Sequence, residues 1–340
     1  MTLITYPTRV HFADGVLEEA LHSELERVKA STVLLVCAAE LAEGELIDRI
    51  VSGLPTRLVT EQALIGSGRG LRAIAAEVAR RPVHPDVILS FGSSRAVELG
   101  RKMRFAVDQA GSPRPALFAV PAVDGMPDPC TRKLESNQAG LPSVVICDPT
   151  VISDAGTSDS MRSAVMSLIR CVEAYLSLGY NPPADGMALD GLSRCLTNLG
   201  RIGRERGLEL HREVMAAGLN AFLSQEKGVG PAQTMTASLL KDDEIDKRAA
   251  IARLVLPGIM QAREMDNDKA DVLRKVLSDA DEPLADAIRR VLARAEMPRS
   301  LADVGVRADA LDAAAKSVAG SAGLTFRKAR SVLDDVYEGA

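Results

Sequence analysis

The stretch DVILSFGSSRAVELGRK, residues 86–102, decides the fold. It opens as a short apolar run with β-branched residues, turns at Gly92-Ser93-Ser94-Arg95, and continues with the spacing of an amphipathic helix. A strand that passes through a small-residue turn into a helix sets backbone N–H groups and a helix N-terminus where a phosphate binds. Only one glycine stands in this turn, and a serine Cβ restricts positive φ and close backbone approach. The serines are small donors, and Arg95 in the first helical turn has the charge to pair with a phosphate. Two readings stand: Gly92, Ser93, Ser94 and Arg95 hold a nucleotide, or the turn has drifted and holds nothing.

On either side of this unit the same rhythm repeats. STVLLVCA (31–38), PTRLVT (55–60), PALFAV (115–120) and SVVICD (143–148) read as strands, with helical patterns such as GELIDRIVSGL and GLRAIAAEVARR between the earlier ones. That alternation predicts a parallel sheet covered on both faces. After Pro149 the strand signals stop. From about Ser158 the apolar positions recur three and four apart, broken at YNPPADG (180–186), LPG (256–258) and EMPRS (296–300). The expected organisation is an α/β dinucleotide-binding-like domain over residues 1–155 and an all-helical domain over 156–340.

Composition narrows the function. The chain has 340 residues, 46% of them apolar, enough for two cores. A net charge of −5 argues against a nucleic-acid surface, which needs a concentrated basic face. No apolar run is long enough for a membrane span, and the N-terminus lacks a signal-peptide layout, so the expected location is cytoplasmic. Cys37, Cys130, Cys147, Cys171 and Cys195 are scattered, without a C-x-x-C pair, and read as reduced and mostly buried. His11, His22, His84 and His211 are too dispersed to announce a metal site.

Several segments in order across nearly the whole chain resemble the iron-containing alcohol dehydrogenase superfamily, and within it the maleylacetate reductase branch. They are YPTRVHFADGVLEEAL, DVILSFGSSRAVELGRK, LPSVVICDPTV, VEAYLSLGYNPPADGMALDGL and PRSLADVGVRADALDAAAKSV. The resemblance implies a Rossmann-like N-terminal domain, a helical C-terminal domain and NAD or NADP as cofactor. It also places Glu98 and Arg101 at acidic and basic positions downstream of the family's glycine turn; by residue type alone they are equally an exposed ion pair.

The same resemblance makes residues 161–177, MRSAVMSLIRCVEAYLS, informative by what they lack. Family members that bind iron or zinc carry Asp-x-x-x-His on this helix and two further histidines later. Anchored on VEAY, those first positions read Met166 and Arg170; anchored on GVGPAQTMTASLL and RAAIARLVLP, the later ones read Gln233 and Arg248, with Ala237 at a nearby histidine position. Methionine is soft, glutamine weak and arginine a permanent cation, so this set predicts no metal. Arg170 and Arg248 would instead supply positive charge and bidentate geometry for a carboxylate, with Lys241 and Lys247 as further cations. The alternative is that both arginines serve ordinary ion pairs, Arg170 with Glu173 for example. Tyr175 and Asp148 are the candidate proton acceptors by position.

The expected function is therefore metal-independent, NAD(P)-dependent oxidoreduction of a carboxylate-bearing alcohol or ketone, with Arg170, Arg248, Gln233 and Lys241 at the reacting end. A β-hydroxy acid would give a β-keto acid and lose carbon dioxide, a reaction suited to peptide natural product metabolism. The substrate is then a small molecule or a peptide-terminal carboxylate, and the chain a homodimer or a hetero-oligomer with a pathway enzyme. A catalytically silent homologue that supports a partner enzyme is the rival expectation. Sugar-phosphate cyclisation, as in the related dehydroquinate synthases, depends on the same lost metal.

Overall fold

The computed structural model describes residues 8–65, 71–81, 84–122, 141–152, 157–205, 207–240, 244–265, 267–278 and 281–339. The chain divides into two compact units, Thr5–Asp159 with Gly207–Met215, and Ser160–Arg206 with Ala216–Ala340. The main division falls a few residues beyond the expected boundary at 155. The short return of Gly207–Met215 to the first unit has no signal in the sequence.

The first unit is built on a six-stranded, wholly parallel sheet: β1 (Arg9–Phe12), β2 (Thr32–Ala38), β3 (Val59–Ile65), β4 (Val87–Gly92), β5 (Ala116–Pro121) and β6 (Val144–Cys147), in the order β1-β6-β5-β4-β2-β3. Helices α1 (Leu17–Arg27), α2 (Glu45–Ser52), α3 (Leu71–Ala79) and α4 (Ser94–Gln109) follow the first four strands. Alternate strand residues face opposite ways. Val33, Leu35, Leu89, Phe91 and Phe118 join Leu17, Leu21, Leu25 and Ile50 in one core. On the opposite face, Ile88, Ser90 and Leu117 lie directly under Gly100 of α4.

The third strand starts later than expected. Pro55 and Leu58 close a turn, Leu58 N donating to the Pro55 carbonyl at 3.0 Å, so the expected strand 55–60 becomes Val59–Ile65. Proline has no N–H for a ladder, and the strand itself is rich in polar residues, which hides its signal.

The second unit is helical. It contains α5 (Thr157–Tyr175, beginning in the first unit), α6 (Pro182–Leu199), α7 (Leu208–Ser224, whose first half belongs to the first unit), α8 (Pro231–Leu239), α9 (Arg248–Arg263), α10 (Asp268–Leu277), α11 (Leu284–Leu292), α12 (Leu301–Val304), α13 (Leu311–Val318) and α14 (Phe326–Tyr337). Helix α9 is the centre, packed on α8, α11 and α14, and buries Ile251, Val255, Leu256 and Ile259. The expected break at 256–258 does not occur; α9 runs straight through Pro257. Burial on several sides outweighs one lost hydrogen bond, and Gly258 lets α14 come close, since a Cβ there would sit 2.8 Å from Val332 Cγ1. The break at 296–300 falls between helices as expected, with Ser300 as N-cap, whereas most of 180–186 is helical, since Asn181 caps α6 and the two prolines stand in its first turn. Among the described residues no helix is long and apolar enough to cross a membrane.

Candidate active site

The strand order reverses between β2 and β4. The chain leaves β2 for β3 on one side and returns across β2 to β4 on the other, so the turns after these two neighbours diverge at their C-terminal ends. Parallel α/β sheets bind ligands at such a point. The turn from β4 is here. Gly92 has φ +102°, a conformation that disfavours any Cβ, and Leu41 of the turn after β2 fills the adjoining space, 2.6 Å from where that Cβ would be. Ser93 is the N-cap of α4 with extended backbone, and its hydroxyl makes no capping bond. The Nε of Arg95 is buried and has no hydrogen-bond partner among the described residues. An orphaned guanidinium donor at a helix N-terminus fits a phosphate.

Glu98 and Arg101, one turn further along α4, form a pair, but a buried one. Arg101 Nε and Nη2 donate to Glu98 at 3.0 and 3.1 Å, and Lys102 Nζ approaches the same carboxylate at 3.3 Å. Only 9% of Glu98 and 5% of Arg101 are exposed, which corrects the expected exposed pair. The helix is clamped to the sheet at this level by the Gly100 contact, and that draws the charges inward.

In the helical unit, Met166, Arg170 and Glu173 recur three and four apart and share one face of α5. All three are buried, Arg170 to 5% exposure. Glu173 meets the N-terminus of α8. Its carboxylate accepts from Ala232 N at 2.6 Å, Gln233 N at 3.2 Å and Gln233 Nε2 at 3.0 Å. The structure thus joins Gln233 to Glu173, which lies one turn from Arg170 on α5. Arg248 is the half-buried first residue of α9, which packs on α8. Lys247 is engaged with Glu244 at 2.8 Å, Ala237 offers no chemistry, and Lys241 lies outside the described residues.

No protein-family model matches the chain. Over 272 residues, 70% of this chain and 70% of the relative, it is 25% identical to a 4-hydroxybutyrate dehydrogenase of Cupriavidus necator. The structure superposes on an iron-containing alcohol dehydrogenase from Thermococcus thioreducens with a TM-score of 0.77 at 13% identity, covering 99% of this chain and 100% of that one. The chain has the fold of the iron-containing alcohol dehydrogenases. A maleylacetate reductase from Agrobacterium tumefaciens gives 0.77 at 19% identity, over 100% of this chain and 98% of that one. An NADH-dependent butanol dehydrogenase from Thermotoga maritima gives 0.81 at 16%, over 99% and 98%.

Against that family's chemistry, the donor set here does not fit a divalent cation. Met166, Arg170, Gln233 and Arg248 include two permanent cations, which oppose a metal ion. Among the described residues no group of three His, Cys, Asp or Glu is placed to hold one.

Of the two positional candidates for proton acceptor, Asp148 is occupied otherwise. Asp148, fully buried, accepts from Gly15 N, Leu17 N, Thr150 N and Thr150 Oγ1 at 2.9, 3.1, 2.9 and 2.6 Å, and pairs with Arg49 at 3.0 Å. Burial pulls its pKa up, but the bonds from Thr150, Gly15 and Leu17 outweigh that and hold it below its ordinary value. It ties β6 to the start of α1. Tyr175, at the end of α5, offers its carbonyl to Lys227 at 3.2 Å and Lys269 at 3.0 Å, and its ring lies 4.9 Å beneath the Lys269 ammonium. Asp185 takes both lysines.

The residue that sequence reasoning undervalued is Glu173. It served as an alignment anchor and as a possible partner for Arg170, whereas it caps α8. The signal was present: a carboxylate set among Ile169, Val172 and Leu176 on a helix too apolar to face solvent there.

Proposed function

We propose that the protein is a nicotinamide-linked oxidoreductase that works without a metal on a substrate carrying a carboxylate near the reacting alcohol or ketone. The observation that carries this reading is the burial of Arg170 on the face of α5 that holds Met166 and Glu173. A guanidinium this enclosed supplies fixed positive charge at the position where the family's chemistry calls for charge. Two of the proteins it resembles act, by name, on acids: 4-hydroxybutyrate and maleylacetate.

Gly92, Ser93, Ser94 and Arg95 would hold the nucleotide phosphates, and a nicotinamide bound through them supplies the hydride acceptor. In the oxidative direction the alcohol loses a hydride from carbon and a proton from oxygen, giving a carbonyl, reduced nicotinamide and H⁺. Arg170, with Arg248 as the second cation, orients the acid and stabilises negative charge as it develops on that oxygen. The Gln233 carbonyl accepts a hydrogen bond from the substrate hydroxyl before its proton leaves. Where the substrate is a β-hydroxy acid, the β-keto product loses carbon dioxide, and a peptide C-terminal carboxylate is a substrate of the right kind. The test is a set of matched pairs, 4-hydroxybutyrate against butan-1-ol and 3-hydroxybutyrate against butan-2-ol, each with NAD⁺ and with NADP⁺. Nicotinamide reduction with the acids and not with the plain alcohols supports the reading. Equal turnover of both, or of neither, counts against it.

A further inference from the structure

We infer that Glu173 is the positioning residue of this site: from α5 it fixes the orientation of the Gln233 amide and the N-terminus of α8. The functional part of this inference rests on the reading in which Arg170 and Gln233 meet the substrate.

Three features of the local sequence are built around this one carboxylate. Helix α8 begins with Pro231, which has no N–H, so the first donors needing acceptors are those of Ala232 and Gln233. Gly230, the N-cap, has no side chain to cap them. Glu173 does so from another helix, with one oxygen on Ala232 N and the other on Gln233 N. Gly230 is also the only residue type with room there, because a Cβ would lie 2.5 Å from the Glu173 Cβ and nearer still to the carboxylate. The cap, its acceptor and the space for it are therefore one unit spread over α5 and α8.

The third bond gives the unit its functional consequence. Gln233 Nε2 donates to the same oxygen that takes its backbone N–H. With Glu173 ionised, flipping the amide would set its carbonyl oxygen against a carboxylate, so the amide is held with Oε1 turned away from Glu173. A glutamine whose carbonyl end is fixed presents an acceptor of defined direction. Glu173 also sits one turn from Arg170 on α5, so the contact that orients Gln233 sets its distance from the buried guanidinium. Glu173 itself, with its oxygens spent on α8, acts through Gln233.

The test reads Gln233 directly. The protein is labelled with ¹⁵N at glutamine side-chain amides, and the Gln233 signal is assigned by its loss in Gln233→Glu. In Glu173→Gln that signal is expected to shift, because an amide replaces the carboxylate acceptor, and turnover of an acidic substrate is expected to fall about tenfold or more in kcat. The dissociation constant for NADH, followed by nucleotide fluorescence, should stay within about twofold. Glu173→Asp, which keeps the charge but withdraws it by one methylene, serves if Glu173→Gln does not fold, and the same two changes are expected of it. An unchanged Gln233 signal in the variants overturns the inference. So does a shifted signal with unchanged kcat. If the wild-type protein turns over no acid, the functional proposal fails separately, and the amide signal alone decides whether Glu173 orients Gln233.

Discussion

Ser90 on β4 and Gly100 on α4 are in direct contact: the serine hydroxyl occupies the space that a side chain at residue 100 would need, with Leu117 Cδ1 3.1 Å and Ile88 Cγ2 3.2 Å from the same point. This clamp sets the height of α4 over the sheet and so holds the helix that begins at the Gly92 turn. Gly100→Ala is expected to destabilise the protein by about 1 to 3 kcal/mol, as overpacking a fitted core does. Denaturant unfolding measures it. Among the described residues the buried Ser90 hydroxyl has no hydrogen-bond partner, so Ser90→Ala should cost little and should lessen the penalty of Gly100→Ala. Additive effects of the two changes would show that they do not touch.

At the turn itself, Arg95→Glu is expected to weaken NADH binding by about 1 to 3 kcal/mol, the value of a charge-assisted contact to phosphate. Its thermal stability should change little, since the Arg95 Nε makes no hydrogen bond among the described residues. Fluorescence titration of both proteins decides. An unchanged dissociation constant removes Arg95 from the nucleotide site.

Stability should depend on pH through Glu173. Burial raises its pKa to about 7, against the opposing pull of the bonds from Ala232 and Gln233 and the charge of Arg263. Between the ordinary carboxylate value and about 7, the folded protein therefore holds a proton that the unfolded chain has released. The folded state binds more protons there, so stability falls as pH rises through that window. The slope approaches about 1.4 kcal/mol per pH unit for one proton. Glu173→Gln carries no such proton, and its unfolding free energy should lose that slope between about pH 5 and 7. A mutant curve parallel to the wild type would contradict this.

What the sequence made legible follows from how local each signal is. The sheet was readable because parallel, doubly covered strands such as Val87–Gly92 are continuous apolar runs, and the turn after Gly92 because its chemistry sits in four consecutive residues. The true start of β3 was not readable, since a turn from Pro55 displaces it and its polar residues look like loop. Nor was the passage of α9 through Pro257, where contacts with Val332 more than seventy residues away outweigh a local breaker. The same holds for the candidate site. Arg170 and Gln233 are named by the family resemblance, but the carboxylate that holds Gln233 belongs to α5 and acts on α8, sixty residues on. Single-residue spacing cannot show a cap supplied from another helix.

The purified protein is expected to contain no stoichiometric iron or zinc and to be unaffected by chelator, because Met166, Arg170, Gln233 and Arg248 oppose a divalent ion. Elemental analysis checks it. About one tightly bound transition metal per chain would overturn the match of these positions to the family's ligands.

The central claim is that fixed arginine charge replaces a metal in handling an acid. The most direct measurement is chelator-treated turnover of 4-hydroxybutyrate or 3-hydroxybutyrate with NAD⁺ or NADP⁺, in the wild type and in Arg170→Met, beside the NADH dissociation constant of each. The account expects turnover without metal in the wild type and a fall of about a hundredfold or more in Arg170→Met, as when a charge-stabilising donor is removed, with nucleotide affinity nearly unchanged. Activity that appears only on adding iron or zinc, or that survives in Arg170→Met, would contradict it.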